Sequence, residues 1–233
     1  HYLEELLQTD EEAYFKTFEK MADYDTPIDP LGYKNDVWLI GLMKDYDGYA
    51  VFYIDNVSRT MTHQLVRHTA LNYSQRSQRY VKEDENVLII PPSIKEANCS
   101  IDSNILKEIR NLTQKVFSFV EKSDAKENLK EGVKKRVEKY LNEEKDSNLQ
   151  TLFKDIDQLS QIVYDFAVYN CKIKREDARF ILPHGRKTTI VVSGTLSWIK
   201  DFIIKRTDPH AQWEIQKVAK AMKTLLENQG VKF

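Results

Sequence analysis

Residues 67–80 read Arg-His-Thr-Ala-Leu-Asn-Tyr-Ser-Gln-Arg-Ser-Gln-Arg-Tyr. Three arginines, a histidine, two serines and two glutamines share this stretch, and almost none of them suits an apolar core. Guanidinium forks beside hydroxyl and amide groups make a cradle for an anion, above all a phosphate. Arg67, Arg76 and Arg79 are separated by enough chain to meet at one point from different directions. Each bidentate contact to a phosphate is worth roughly 1.5–3 kcal/mol. A surface loop with scattered arginines fits the spacing equally well.

A second pair of arginines lies far along the chain. Arg179 precedes a Leu182-Pro183 stop, and Arg206 sits between the end of one predicted helix and the start of the next. Either can reach into a cleft, although a bond to a carbonyl at a helix C-terminus is the simpler reading of position alone. Other chemistries find little support. His63 and His68 are five apart, not the four that places two metal ligands on one helix face, so no metal site is expected. The chain has 7 glycines and no glycine-rich phosphate loop or nucleophile elbow. Cys99 and Cys171 have no neighbours that would activate a thiolate. Two scattered cysteines suit a reducing compartment, so a cytoplasmic protein is expected.

The elements that must position these residues follow from periodicity and punctuation. Residues 2–22 read as a helix, and Thr26-Pro27, Asp29-Pro30 and Gly32 as a loop. The apolar run 36–43 is a strand or a short buried helix, and 49–54 is a strand. Asn56 or Ser58 caps a helix carrying Val57, Met61 and Leu65, which delivers Gln64, Arg67 and His68 at its C-terminal end, where the helix dipole favours cations. Residues 69–80 lack periodicity and are expected to form an irregular loop. Three amphipathic helices follow, with apolar stripes at Ile105, Ile109, Leu112, Val116 and Phe119, at Val133, Val137 and Tyr140 or Leu141, and at Leu152, Ile156, Leu159, Val163 and Phe166. Each stripe is expected to face a core. Residues 174–183 form a short helix stopped by Pro183, and 188–192 a strand. Thr195 caps a helix with Leu196, Trp198, Phe202 and Ile203, and Asp208-Pro209 starts the last one. The fold class is therefore α+β: a helix-rich single domain over 1–233 with a modest, mainly antiparallel sheet.

The 233 residues carry a net charge of only −1, so an anion site has to come from local clustering. No basic surplus or aromatic platform points to nucleic acid. No apolar run approaches the ~20 residues of a membrane span, and no signal peptide is evident.

Three blocks resemble one known family. Arg67-His68-Thr69, seven residues, then Ser77 is similar to the Arg-His-Arg, seven residues, Ser signature of the flavin-dependent thymidylate synthases, and residues 73–81 continue in that family's manner. Arg175-Glu176-Asp177-Ala178-Arg179 with Leu182-Pro183 resembles the family's acidic-Ala-Arg, Leu-Pro segment. Arg206 with His210-Ala211 and Glu214-Ile215 resembles its C-terminal block. The blocks keep the family's order, and the resemblance extends from about residue 64 to 222.

The resemblance implies reductive methylation of dUMP to dTMP with FAD, NADPH and methylenetetrahydrofolate, in a homotetramer whose active sites are shared between subunits. It implies dUMP contacts from Gln64, Arg67, Gln75, Arg76, Ser77, Gln78, Arg79, Arg179 and Arg206. Arg206 would stand at the pyrimidine N3 edge, where a cation stabilises an electron-rich ring that attacks from C5. Ser77 falls at a serine once taken for a nucleophile, and a nucleotide-binding hydroxyl is the safer role. Flavin contacts would come from Arg67, His68, Thr69 and Gln75, and from Thr195, Ser197 and Asp201 in the segment aligned with the family's second flavin block. Thr69 replaces a basic residue, and Gly194-Thr195-Leu196-Ser197 lacks that block's amide and arginine, so the nucleotide half matches better than the flavin half. The alternatives are a related enzyme acting on another pyrimidine nucleotide and a non-catalytic nucleotide-binding module.

Overall fold

The computed structural model describes residues 37–77, 88–143 and 145–233. The predicted helix over 2–22, the loop after it, Gln78 and Arg79 lie outside the described residues. The chain divides into two compact units, residues 1–81 with 187–233, and residues 82–186.

The first unit is built on a four-stranded antiparallel sheet of order β1-β2-β4-β3, with β1 Val37–Met43, β2 Tyr49–Ser58, β3 Asn72–Gln75 and β4 Lys187–Thr195. The apolar run at 36–43 is thus a strand. Its side chains alternate, with Val37 and Leu39 in the main core and Trp38 and Ile40 against Tyr53 and Val191 on the opposite face. Helices α7 (Leu196–Arg206) and α8 (Trp213–Asn228) join that main core through Ile199, Phe202, Ile203, Ile215, Val218 and Met222. The short helix α1 (Arg59–Leu65) adds Met61 and Leu65 to it. The last helix does not start at Asp208-Pro209. Asp208 instead closes a turn, its Oδ1 accepting from His210 N at 2.8 Å and its carbonyl from Ala211 N at 3.0 Å. Gln212 then caps α8, its Oε1 accepting from Glu214 N and Ile215 N, both at 3.0 Å, which satisfies two of the free donors of the first turn.

The second unit is helical: α2 Pro92–Lys95, α3 Ser103–Glu121, α4 Glu127–Asn142, α5 Leu149–Tyr169, and α6 Arg175–Ala178 running into a 3₁₀ turn, Arg179–Ile181. The α4 stripe of Val133, Val137 and Tyr140 is buried as its period predicts. The stripes predicted for α3 and α5 meet the core only in part: Val116, Leu159 and Phe166 pack against it, while Ile105, Leu112, Phe119 and Ile156 are exposed. In α3 the buried residues are Leu106, Thr113, Phe117 and Val120, one step round the helix from the expected set. In α5 the fully buried positions include Asp155, Asp157, Gln158, Gln161 and Asp165 beside Ile162, Tyr164 and Tyr169. The polar groups are inside because they are paired. Arg186, 1% exposed, donates from Nε to Asp157 Oδ1 at 2.6 Å and from Nη1 to Gln161 Oε1. Gln161 donates to Asp165 Oδ1 at 3.2 Å, Arg136 donates to the other Asp165 oxygen, and Arg110 Nε donates to Asp155 Oδ2 at 3.2 Å. A buried charge is tolerated when it has such a partner, so hydrophobic period alone cannot find this face.

Candidate functional site

Helix α1 is the axis of the site, and it is anchored at both ends. At its start Ser58, not Asn56, is the cap: Ser58 Oγ accepts from Met61 N at 3.0 Å. Asn56 instead takes a positive φ of 52° where the β2 register shifts. Ser58 in turn donates to Glu214 of α8, from its N to Oε1 at 2.7 Å and from its Oγ to Oε2 at 2.5 Å. Glu214 is buried, and burial pushes its carboxyl above the usual range against the pull of the Ser58 and Gln212 donors.

At its other end α1 stops at Leu65. Arg67 and His68 lie just past it in a turn, with His68 N donating to Leu65 O at 3.1 Å. Tyr73 Oη lies 2.8 Å from Leu65 O and 2.7 Å from His68 O, so one phenol hydrogen serves both carbonyls. Burial pushes the Tyr73 hydroxyl up to about 12, which keeps it protonated and a donor. Tyr73 belongs to β3, so the expected irregular loop over 69–80 contains an edge strand at 72–75, paired to β4 from Asn72↔Ser193 to Gln75↔Ile190. Its alternation is of bonding partners rather than hydropathy, and therefore carried no apolar signal. Tyr73 and Gln75 turn to α1, with Gln75 Nε2 donating to Thr62 Oγ1 at 2.9 Å, whereas Asn72 donates to Tyr49 Oη at 3.3 Å. The turn before β3 lies directly on β4 at Gly194. A Cβ there would stand 2.6 Å from Leu71 Cδ2, so any side chain at 194 would force the buried Leu71 side chain to shift.

The His68 imidazole faces α7. Phe202 meets it edge-on at 4.9 Å between ring centres, and Arg206 Nε donates to His68 Nε2 at 2.8 Å. Accepting that bond requires a neutral ring with its proton on Nδ1. The surroundings favour the neutral form: burial first, then the Arg206 and Lys205 charges, lower the His68 pKa, and Asp201 opposes them. Asp201 itself pairs with Lys205 at 2.7 Å.

The structure therefore brings Gln64, Arg67, His68 and Thr69 to one end of α1, with Arg206 across from His68. Gln75 ends β3 and Arg76 and Ser77 follow just past it, where Arg59 Nη2 donates to Arg76 O at 3.2 Å and Arg76 N donates to Thr189 O at 2.9 Å. The backbone at Arg76 is held at two points while its side chain is exposed. Thr195 stands at the N-cap position of α7 as expected. Its Oγ1, however, meets Ser197 Oγ at 3.0 Å and makes no cap bond. Arg179 belongs to the helical unit and donates from Nε to Glu176 O at 3.1 Å, the helix-end carbonyl contact that position alone suggested. Arg206 departs from that simple reading, because its Nε is spent on His68. Sequence reasoning missed Thr62, Tyr73, Phe202 and the buried role of Glu214. The Tyr-x-Gln alternation at 73 and 75 was the available signal for the first two.

Comparison with known proteins adds to this geometry. A family model described as thymidylate synthase complementing protein matches residues 48–229. A flavin-dependent thymidylate synthase of Mycobacteroides abscessus is 31% identical over 172 residues, 73% of this chain and 54% of that protein. One from Clostridium tetani is 30% identical over 171 residues, 73% of this chain and 55% of that protein. The chain spans about half the length of the curated relatives it matches. A crystal structure of the flavin-dependent thymidylate synthase from Helicobacter pylori, complexed with FAD and dUMP, aligns at a TM-score of 0.45 and 18% identity over 78% of this chain and 69% of that one.

Proposed function

The chain belongs to the flavin-dependent thymidylate synthase family, and from that footing we propose that it converts dUMP to dTMP by reductive methylation. FAD is the cofactor, NADPH the reductant and methylenetetrahydrofolate the one-carbon donor. The observation that carries this reading is the meeting of two sequence blocks 138 residues apart, with Arg206 held by His68. A guanidinium fixed through Nε keeps its two terminal nitrogens for a ligand. At the N3 edge of a pyrimidine those nitrogens favour the anionic, nucleophilic ring, so no enzyme thiolate is needed. Cys99 and Cys171 are both exposed and neither lies among the residues of the site.

Gln64, Arg67, Arg76 and Ser77 bind the nucleotide with Gln75, Gln78 and Arg79, and an Arg179 from another subunit completes its shell. Arg67, His68, Thr69, Thr195, Ser197 and Asp201 hold the flavin. Cationic and hydroxyl donors with a neutral imidazole suit its phosphates and polar ring edge, so the residues present fit the cofactor. When bound, reduced flavin supplies the hydride. The whole chain, 1–233, acts as one functional domain in a cytoplasmic homotetramer whose sites are shared between subunits. Among the described residues no helix is long and apolar enough to cross a membrane. Thr69, which puts a hydroxyl where the family has a cation beside the flavin, favours as second reading a relative that binds the nucleotide without this chemistry.

Purified protein tests the proposal. A yellow protein whose flavin band bleaches with NADPH when dUMP is present supports it, and comparing dUMP, UMP and dCMP as triggers identifies the nucleotide. A colourless protein that takes up no added FAD overturns it.

A further inference from the structure

One face of the sheet packs on the main core, and the other carries Trp38, Ile40, Val51, Tyr53 and Val191. This second face turns polar toward the end of β4 that leads into α7. Ser193 follows Val191 on it, and Tyr49 precedes Val51. Tyr49 Oη donates to Ser193 Oγ at 3.0 Å, and Asn72 Nδ2 donates to Tyr49 Oη at 3.3 Å. In the register Asn72 stands opposite Ser193 and Tyr49 opposite Thr195, so all four belong to one face. Thr195 in turn meets Ser197 at the start of α7. These groups cross β2, β4 and β3, about 10 Å at the usual strand spacing, and adjoin two residues assigned above to the flavin.

The directions of these bonds decide what the patch can hold. Tyr49 accepts from Asn72 and spends its one hydrogen on Ser193, so its hydroxyl is used twice. Ser193 keeps its own hydrogen, and Asn72 keeps Oδ1 and a second amide hydrogen. Asn72 is exposed and Ser193 half-buried, so both can be reached. The patch thus offers donors and an acceptor side by side, and none of its groups is charged. A phosphate calls for cations, and an apolar ring would leave these groups unpaired. A chain of hydroxyls, each both donor and acceptor, satisfies them. We propose that Asn72 and Ser193 bind the polyhydroxyl chain of the cofactor, the ribityl link between flavin ring and phosphates, and that Tyr49 positions both. The proposal rests on the flavin reading and adds three residues to it.

The test is equilibrium binding of FAD, riboflavin and lumiflavin to the full-length chain, read by flavin fluorescence. Lumiflavin carries a methyl group where the other two carry the ribityl chain. The wild type is expected to prefer riboflavin to lumiflavin. Tyr49→Phe and Asn72→Ala should each weaken FAD and riboflavin about 3- to 10-fold and leave lumiflavin unchanged. Equal losses for lumiflavin overturn the proposal, because the effect would then come through the ring. So do folded variants that bind all three flavins as the wild type does. Should both variants unfold, the wild type alone decides, since no preference for riboflavin over lumiflavin overturns the subsite. A wild type that takes up FAD with either of these results sinks the subsite alone. One that takes up no flavin at all overturns the flavin reading, and the subsite with it.

Discussion

Arg206 and His68 meet in a single hydrogen bond, Nε to Nε2 at 2.8 Å, so the end of one helix aims the cation at the end of another. The bond exists only while the imidazole is neutral. The folded pKa of His68 lies below the ordinary 6.5, so its contribution is fully present above 6.5 and is lost as pH falls through the lower folded value. An NMR titration of the ring is expected to show a midpoint below 6.5, with turnover falling on its acid side. His68→Phe keeps a ring against Phe202 but removes the acceptor. A charge-assisted bond is worth roughly 1.5–3 kcal/mol, so about 10- to 100-fold in turnover is at stake. A midpoint at or above 6.5 rules the coupling out.

Arg206→Ala is expected to abolish measurable turnover, a loss of at least about 100-fold, with the melting temperature close to that of the wild type. Arg206→Lys should recover little, because an ammonium group cannot hold His68 and a pyrimidine edge at once. Wild-type rates in the alanine variant would remove Arg206 from the chemistry.

Gly194→Ala places a methyl group 2.6 Å from Leu71 Cδ2 and is expected to cost about 1–3 kcal/mol in denaturant melts. Combined with Leu71→Ala, the two losses should sum to less than their separate values by at least about 0.5 kcal/mol. Strict additivity would show that the turn does not press on β4 there.

Burial raises the Glu214 pKa, so the stability it confers is fully present below its ordinary 4.5 and is lost as pH rises through the higher folded value. Glu214→Gln escapes that loss. Its stability relative to wild type is expected to climb between pH 4.5 and 7. Glu214→Ala leaves Ser58 N and Oγ without their acceptor and should destabilise by about 1–3 kcal/mol at both pH values. A glutamine variant whose difference from wild type does not change with pH would argue against the buried carboxylate.

The elements that could be read from sequence were those whose signal is local. Val37 to Leu39 alternate, Val133, Val137 and Tyr140 recur at helical spacing, and Pro183 ends a helix; all three survive in the fold. The start of α8 was misplaced because Asp208-Pro209 offered good start chemistry but was used for a turn, and Gln212 did the capping. The buried carboxylates of α5 were missed because Asp157 and Asp165 are inside by virtue of Arg186 and Arg136, each 29 residues away and outside any helical window. In the site, the arginine cradle was visible as composition and the link from His68 to Arg206 only as two separate blocks. Tyr73, which holds the turn in shape, was hidden in a strand too polar to show an apolar period.

A helix of seven residues has little persistence of its own, since nucleation costs more than so few bonds return. The order of α1 is therefore borrowed. Glu214 secures its first turn through Ser58, and Tyr73 and Gln75 secure the rest from β3, itself only four residues along one edge of the sheet. Fraying of that edge would release the helix and the turn bearing Arg67 and His68 together. How long the anion-binding groups remain assembled thus depends on the opening of that short edge strand as well as on the hold of Met61 and Leu65 on the main core.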